Sequence, residues 1–208
     1  MGNSIIARLE HKLYIKRKQR RLNNSHPTII ASNCNGGYIL HDLGLRFNTP
    51  TINLFFLPGD YLKFITNIDK YLDTELIEIK SELSYPVGIL GDIRIFFMHY
   101  NSFEEAKEKW MERAKRIDKN NLFFMMTDKN GCTYEQMKKF DNLPYPNKLI
   151  FTHKPQPDIR SAVYIKGFES EGEVGILSDW KPGFWKRRYL DDYDYVSFLN
   201  NNRYLTGR

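Results

Sequence analysis

Short apolar runs recur along the chain from residue 28 onward, and several of them are continuous rather than alternating. A continuous apolar run of this length is typical of a β-strand that is buried on both faces of a sheet. Strands are therefore predicted at Thr28–Ala31, Thr51–Phe56, Leu76–Ile79, Ile93–Met98, Leu122–Met126, Lys148–Thr152 and Ala162–Ile165.

Helix-type spacing and helix-start residues lie between these runs. The segment 58–72 begins with Pro-Gly-Asp and carries apolar residues at helical intervals. Ser102–Glu105 and Thr133–Gln136 are capping boxes, in which the two end residues satisfy backbone amides at the start of a helix. Asp191 or Asp192 is expected to cap a last short helix.

The alternation of strands and helices predicts an α/β protein. The expected architecture is a three-layer, Rossmann-like fold around a largely parallel sheet. Residues 22–208 are treated as a single α/β domain, because no internal repeat or low-complexity linker divides them. Residues 167–189, rich in Gly, Glu, Trp and Arg, are predicted to leave the sheet.

Residues 1–21 form a basic arm that carries the whole net charge. Seven basic residues and one acid give the arm a charge of +6, which equals the net charge of all 208 residues. Ile5, Leu9 and Leu13 recur every four positions, so an amphipathic helix is predicted. Two interpretations stay open: contact with an anionic membrane surface, or a solvated helix packed along one edge. Nucleic-acid binding is not expected, because the neutral body has no second basic stripe.

Polar residues follow directly after four of the predicted strands. The carboxyl ends of parallel strands meet at one edge, where open α/β sheets bind ligands. If these strands are parallel neighbours, their polar residues form one site. The candidate catalytic residues there are His153, His99, Asp128 and Cys34, and the candidate ligand-binding residues are Asn33 and Lys154.

The two strand-end histidines are candidate acid–base groups, with Asp128 as a partner. The alternative is that each histidine only ends a strand, with its ring hydrogen-bonded to the backbone. The histidines His41, His99 and His153 lack a metal-binding spacing such as His-Glu-x-x-His, so no metal site is expected.

The stretch Asn33-Cys34-Asn35-Gly36-Gly37 joins the first strand to a predicted helix. Amides and the dipole at a helix start would favour a Cys34 thiolate or bind an anion. Asn35, Gly36 and Gly37 are therefore candidate ligand-binding residues. The alternative is a tight corner that requires small residues and buries Cys34. The stretch matches neither the dinucleotide fingerprint nor the P-loop motif.

The segment 180–188 combines aromatic and basic residues. Trp185 is a candidate for stacking on a sugar or base, and Arg187 for binding a phosphate. The alternative is a loop whose tryptophans close the edge of the core. Asp192-Tyr193-Asp194 matches the Asp-x-Asp pattern of many glycosyltransferases, although a helix cap is the favoured interpretation.

Several long blocks, in order, resemble a bacterial family of unknown function. The blocks are NCNGGYILHDLGLRFNTPTINLFF, YPVGILGDIRIFFMHYNSFEEAKEKWMERAKRI, TDKNGCTYEQMKKFDNLPYPNKLIFTHKP and VYIKGF. They resemble number 1919 in the domain-of-unknown-function series, whose members are often named exopolysaccharide biosynthesis proteins. The resemblance covers residues 25–200 and leaves the basic arm outside. It implies a Rossmann-like α/β fold and a polysaccharide-cluster context, and it brings no catalytic residues.

The leading hypothesis is a transferase of surface-polysaccharide synthesis that acts on a nucleotide sugar or another phosphate-bearing donor. One alternative is a hydrolase or acyltransferase that depends on Cys34. The other is a non-catalytic module that docks a biosynthetic complex at a membrane through the arm. The sequence indicates no particular cofactor.

A cytoplasmic location, with contact to the inner face of the membrane through the arm, is expected. No apolar run reaches the ~18 residues of a membrane span, and the start lacks the apolar core of a secretory signal. Two cysteines do not form a disulfide framework.

Overall fold

Helices and strands follow one another along most of the chain. The computed structural model describes residues 2–183 and 186–201, with side chains from residue 8 onward. The helices are α1 (Gly2–Arg21), α2 (Asn35–Asp42), α3 (Pro58–Thr66), α4 (Ile68–Leu72), α5 (Phe103–Ala114), α6 (Tyr134–Asp141) and α7 (Tyr195–Asn200). The strands are β1 (Thr28–Ala31), β2 (Leu76–Ile79), β3 (Val87–Leu90), β4 (Ile93–Phe96), β5 (Leu122–Thr127), β6 (Lys148–Thr152) and β7 (Ala162–Tyr164). A 3-10 helix, Tyr189–Asp192, precedes α7.

Four parallel strands form the main sheet, in the order β1-β5-β6-β7. The register pairs Ile30 with Phe124 and Met125 with Leu149. Every residue of β1 and β5 is buried, as expected for strands covered on both faces. The predicted α/β fold with a parallel sheet is confirmed.

Two apolar clusters fill the two faces of this sheet. Successive side chains of a strand point to opposite faces, so Ile30 and Phe124 belong to one cluster, whereas Ile29 and Phe123 belong to the other. The first cluster includes residues of α3, α5 and α6, and the second includes residues of α2 and α7. The sheet is therefore the middle of three layers.

The edge of β1 that faces away from β5 is closed by threonine side chains. Thr51 Oγ1 accepts a hydrogen bond from the Ala31 amide at 3.0 Å and donates one to the Ile29 carbonyl at 3.4 Å. Thr49 Oγ1 lies 2.9 Å from Thr51 Oγ1, and both threonines are fully buried. These hydroxyls replace hydrogen bonds that a further strand would make.

The prediction of a strand at Thr51–Phe56 is wrong. Asn53 has a φ of 61°, in the left-handed region, which interrupts an extended run. Within the described residues, the pairing of this segment is one isolated bridge between Phe55 and Phe96. The segment still reaches the end of β1, where the Phe56 amide donates to the Ser32 carbonyl at 2.9 Å.

A separate antiparallel sheet contains β2, β3 and β4, in that order. Gly91 and Asp92 form the tight turn between β3 and β4, and Gly91 has a φ of 64°, which favours glycine. The strand β3 is absent from the predicted strands. Because β4 belongs to this second sheet, the residues after it do not follow a strand of the main sheet.

Both predicted capping boxes lie at helix starts. Ser102 Oγ accepts from the Glu105 amide at 3.2 Å, and both halves of the box are formed between Thr133 and Gln136. The segment 58–72 divides into α3 and α4 at Asn67. The cap of α7 is Asp194, not Asp191 or Asp192, because those two residues lie within the preceding 3-10 helix.

The helix α1 packs against the body through its polar side. Lys18 is buried, with Nζ 3.3 Å from Asp191 Oδ1 and 3.8 Å from the centre of the Tyr195 ring. Arg188 donates to the same Asp191 at 3.2 Å and to Asp42 at 3.3 Å. Burial lowers the pKa of Lys18, and the Asp191 carboxylate opposes this effect. A buried ionic network therefore joins α1 to the body.

Two more contacts attach the middle of α1. The Tyr14 hydroxyl donates to the Asp191 carbonyl at 3.2 Å. Arg187 donates to Glu10 at 2.8 Å and lies 4.1 Å from the centre of the Tyr14 ring. The predicted helix is present, but Leu9 and Leu13 lie on its exposed side. In the part of the chain that the structure describes, none of the helices is both long and apolar enough to cross a bilayer.

Candidate functional site

The carboxyl ends of β1 and β5 are joined by a side-chain hydrogen bond. Asn33 follows β1 and donates through Nδ2 to Thr127 Oγ1, at the end of β5, over 3.0 Å. Asn33 Oδ1 also accepts from the Asn35 amide at 3.1 Å, in the first turn of α2. One asparagine therefore connects two strand ends to the start of a helix.

The carboxyl ends of β5 and β6 are joined by a buried carboxylate. Asp128 Oδ2 lies 2.6 Å from His153 Nδ1 and accepts from the His153 amide at 2.8 Å. Asp128 Oδ1 accepts from the Val174 amide at 2.7 Å. Three donors therefore hold the Asp128 carboxylate in one position.

The hydrogen bonds of Asp128 determine which nitrogen of His153 is available. An ionised carboxylate only accepts hydrogen bonds, so Nδ1 carries a proton and donates a hydrogen bond to Asp128. In a neutral ring, Nε2 then presents a lone pair. Nε2 makes no hydrogen bond to the residues that the structure describes, and the His153 side chain is 15% exposed. This arrangement suits a general base oriented by a carboxylate.

The corner between β1 and α2 is tightly packed. A Cβ atom on Gly36 would lie 2.9 Å from Ala31 Cβ and 3.0 Å from Ile29 Cγ2. A Cβ atom on Gly37 would make only an ordinary contact, 3.5 Å from Ile52 Cδ1. Gly36 therefore lets α2 lie directly against β1.

Cys34 opens onto a cavity on the other side of this corner. The cavity has a volume of about 370 Å³, and its lining includes Cys34, His41, Asn53 and His99. Burial raises the pKa of the Cys34 thiol to about 11, and the thiol donates to the Leu54 carbonyl at 3.8 Å. The thiol is thus protonated at neutral pH, which does not favour its role as a nucleophile.

The structure places His99 after a strand of the antiparallel sheet, not after a strand of the main parallel sheet as predicted. His99 follows β4 of the antiparallel sheet, is exposed, and its amide reaches the Asn53 carbonyl at 3.4 Å. It lines the Cys34 cavity instead. The error arose because a continuous apolar run does not reveal which sheet its strand joins.

Three further residues were predicted to bind a ligand: Lys154, Arg187 and Trp185. Lys154 is exposed, and its carbonyl accepts from the Thr152 hydroxyl at 2.8 Å. Arg187 is engaged by Glu10 and Tyr14 of α1, so its guanidinium already has an anionic partner. Trp185 lies outside the described residues.

The sequence interpretation missed one group that forms the site. The Val174 amide comes from the segment 167–189, which crosses over Asp128. A backbone donor has no side-chain signature, so the residue types could not reveal it. Within residues 2–183 and 186–201, no cluster of three or more His, Cys, Asp or Glu side chains is placed to hold a metal ion.

A larger cavity, of about 760 Å³, opens at the amino ends of β6 and β7. Its lining includes Asp141, Asn147, Ser161 and Ser197, and none of its described lining residues is a histidine or cysteine. Open α/β sheets bind ligands at the opposite, carboxyl edge. The Asp128–His153 pair is therefore the stronger candidate site.

Comparison with known proteins identifies relatives along almost the whole chain. A family described as a domain of unknown function, DUF1919, matches residues 5–200. An uncharacterized protein of Haemophilus influenzae is 48% identical over 183 residues, which are 88% of this chain and 88% of that protein. The match includes most of the basic arm, which corrects the expectation that the arm lies outside the family region. The chain belongs to the DUF1919 family.

Proposed function

We propose that the protein is a group transferase in which His153 acts as the general base and Asp128 as a positioning residue. The observation that carries this proposal is the Asp128–His153 pair at the carboxyl edge of the sheet, with Nδ1 bonded to the carboxylate and Nε2 available. The donor is a nucleotide sugar or a related phosphate-bearing molecule, and the acceptor is a glycan hydroxyl.

The proposed reaction moves one proton and one glycosyl group. His153 Nε2 takes the proton of the acceptor hydroxyl, whose oxygen forms a bond to the anomeric carbon of the donor. The bond from that carbon to the phosphate oxygen breaks, and the nucleotide leaves with the electron pair. Asp128 stabilises the imidazolium that forms, because its carboxylate already accepts from Nδ1.

The choice of a phosphate-bearing donor is supported by the start of α2. This helix begins beside Asn33 at the same edge of the sheet, and helix starts favour anions. The polysaccharide context of this proposal comes from the sequence resemblance alone. In the proposal, the enzyme is a component of surface-polysaccharide assembly on the cytoplasmic side of a membrane.

The proposal is tested with a panel of nucleotide sugars. We expect at least one of them to raise the thermal unfolding midpoint of the wild-type protein and to be consumed in the presence of glycan acceptors. His153→Gln should keep donor binding but lower turnover by roughly 10²- to 10⁴-fold, the usual contribution of a general base. Asp128→Asn should lower turnover and change its pH profile.

The matched control is His99→Gln, which alters an exposed histidine outside the pair. We expect this variant to keep wild-type turnover. The proposal fails if no donor is bound or consumed, or if His153→Gln retains full turnover in a folded protein.

A second candidate is a hydrolase or acyltransferase that uses Cys34. The shared cavity with His41 and His99 supports it. The raised pKa of the thiol lowers the fraction of reactive thiolate at neutral pH, so the His153 reaction is preferred.

A further inference from the structure

The outward face of α1 combines leucines with cations. Leu9 and Leu13 are each 57% exposed, although leucines at this spacing would be expected to pack on the body. The helix instead turns its polar residues inward, with Lys18 buried against Asp191 and Tyr195. The leucines therefore form an exposed apolar ridge.

Basic residues lie on both sides of this ridge. At ~100° per residue, Leu9 and Leu13 fall near the middle of the outward half of the helix. The exposed cations around them are Arg8, Lys12, Lys16, Arg17 and Arg20. The outward face, defined by these five cations and the two leucines, thus combines apolar area with positive charge.

The one acid of the arm is removed from this face. Glu10 is directed to the body, where Arg187 binds it at 2.8 Å. From residue 8 to residue 21, the exposed side therefore carries no acidic side chain that would offset the cations. The body of the protein has no net charge, so the positive field is concentrated on α1.

We propose that the outward face of α1 docks the protein on an anionic lipid bilayer. The helix lies in the plane of the surface, with Leu9 and Leu13 among the acyl chains and the cations at the phosphate groups. The two leucines can insert at such an interface while the long Lys and Arg side chains beside them reach back to the phosphate groups, and each cation adds attraction to anionic lipid. Nucleic acid fits less well, because its phosphate backbone would leave the apolar ridge without a partner and because the body has no second basic stripe.

The proposal is tested by sedimentation with vesicles of phosphatidylcholine alone or mixed with phosphatidylglycerol. We expect the full-length protein to bind the mixed vesicles, to bind the neutral ones weakly, and to be released by salt. Lys12→Glu with Lys16→Glu should weaken partitioning by more than about tenfold. Leu9→Asp with Leu13→Asp should weaken it to a similar degree.

The matched controls alter exposed residues elsewhere. Leu83 and Ile176 are 47% and 58% exposed, and Lys80 and Lys139 are exposed cations. Leu83→Asp with Ile176→Asp should retain vesicle binding, and so should Lys80→Glu with Lys139→Glu. Circular dichroism melting of all four variants checks that each is folded.

Three results would overturn the proposal. The first is that the wild-type protein does not bind the mixed vesicles. The second is that both arm variants bind these vesicles as strongly as the controls do. The third is binding of a duplex oligonucleotide that the lysine variant loses and the leucine variant keeps, together with no vesicle binding. That result would assign the surface to nucleic acid. Turnover of nucleotide sugars is not needed for any of these measurements.

Discussion

Gly36 shows how one missing side chain sets the position of a helix. The first turn of α2 lies directly over β1, and a Cβ atom would come within 3.0 Å or less of the Ala31 and Ile29 side chains. Both neighbours are fully buried and cannot move aside easily. The close approach also fixes Asn33 beside Thr127, so the packing determines the geometry of the strand ends.

Replacing Gly36 by alanine is expected to destabilise the protein. The added methyl group would force β1 and α2 apart, at a cost of about 1–3 kcal/mol. The control is Gly37→Ala, whose Cβ atom would meet Ile52 at an ordinary 3.5 Å. Because alanine favours a helix over glycine by ~1 kcal/mol, the control should be neutral or stabilising. Equal urea midpoints for the two variants would contradict this interpretation.

Some of the single-residue placements could be predicted from sequence. Asp128 and His153 were found because each follows a continuous apolar run whose strand joins the main sheet. His99 follows a similar run, but pairing of that run with β3 takes it to another sheet. Which sheet a strand joins depends on the strand that it pairs with, and the residues of a single apolar run do not identify that partner.

At the level of elements, α1 is held by ionic contacts between buried side chains. Asp191 lies between Lys18 and Arg188, and its side chain is fully buried. Burial alone would raise the pKa of Asp191, but the hydrogen bonds and charge of Arg188 outweigh this, so its pKa is lowered. The carboxylate therefore stays ionised and binds α1 to the 3-10 helix.

Asp191→Asn is expected to loosen α1 and to destabilise the protein by about 3 kcal/mol, because it leaves the buried Lys18 ammonium without the carboxylate that it pairs with. The control is the adjacent Asp192→Asn, which breaks a partly exposed pair with Lys181 and should cost less than about 1 kcal/mol. Urea denaturation gives both values, and hydrogen exchange of the α1 amides shows which element loosens. Similar losses in the two variants would argue against a special role for the buried network.

The elements that sequence could predict are those with strong local signals. The strand β5 is a six-residue buried run, and α6 starts at a complete capping box. The strand β3 was missed although Gly91-Asp92, between apolar residues, is a hairpin signal. The segment 51–56 looked like a strand, and only the left-handed backbone of Asn53 shows why it is not.

The whole molecule contains several carboxyl groups whose pKa is lower than usual. Asp141, Asp191 and Asp194 share this shift from the ordinary value of 3.8. For each, burial alone would raise the pKa, but hydrogen bonds to neighbouring groups outweigh it, such as those from Ser161 to Asp141 and from Ser197 to Asp194.

These shifts predict acid sensitivity. A carboxyl group whose pKa is lower in the folded state than in the unfolded state stabilises the fold at a pH above its unfolded-state pKa. This stabilisation is lost as the pH falls through the folded-state pKa. The urea midpoint should therefore be lower at pH 3 than at pH 6, and Asp191→Asn should show a smaller decrease over this range. A midpoint that does not change between these pH values would contradict the expectation.

The family match and the packing agree on the extent of the folded unit. The match begins at residue 5, and the contacts of α1 extend from Trp180 to Asn200 near the other end of the chain. Composition alone suggested an appended arm, because charge reveals nothing about which side of a helix is buried. Because Lys18 is buried against the body, Leu9 and Leu13 lie on the outward side of the helix.

The threonine pair beside β1 has a consequence for the protein in a crowded solution. An open strand edge can pair with the edge of another molecule, which is a route to aggregation. Thr51 occupies the Ala31 amide and the Ile29 carbonyl from within the same chain. The first strand of the main sheet therefore offers no template there to a neighbouring molecule, and the sheet cannot grow from that side by strand addition.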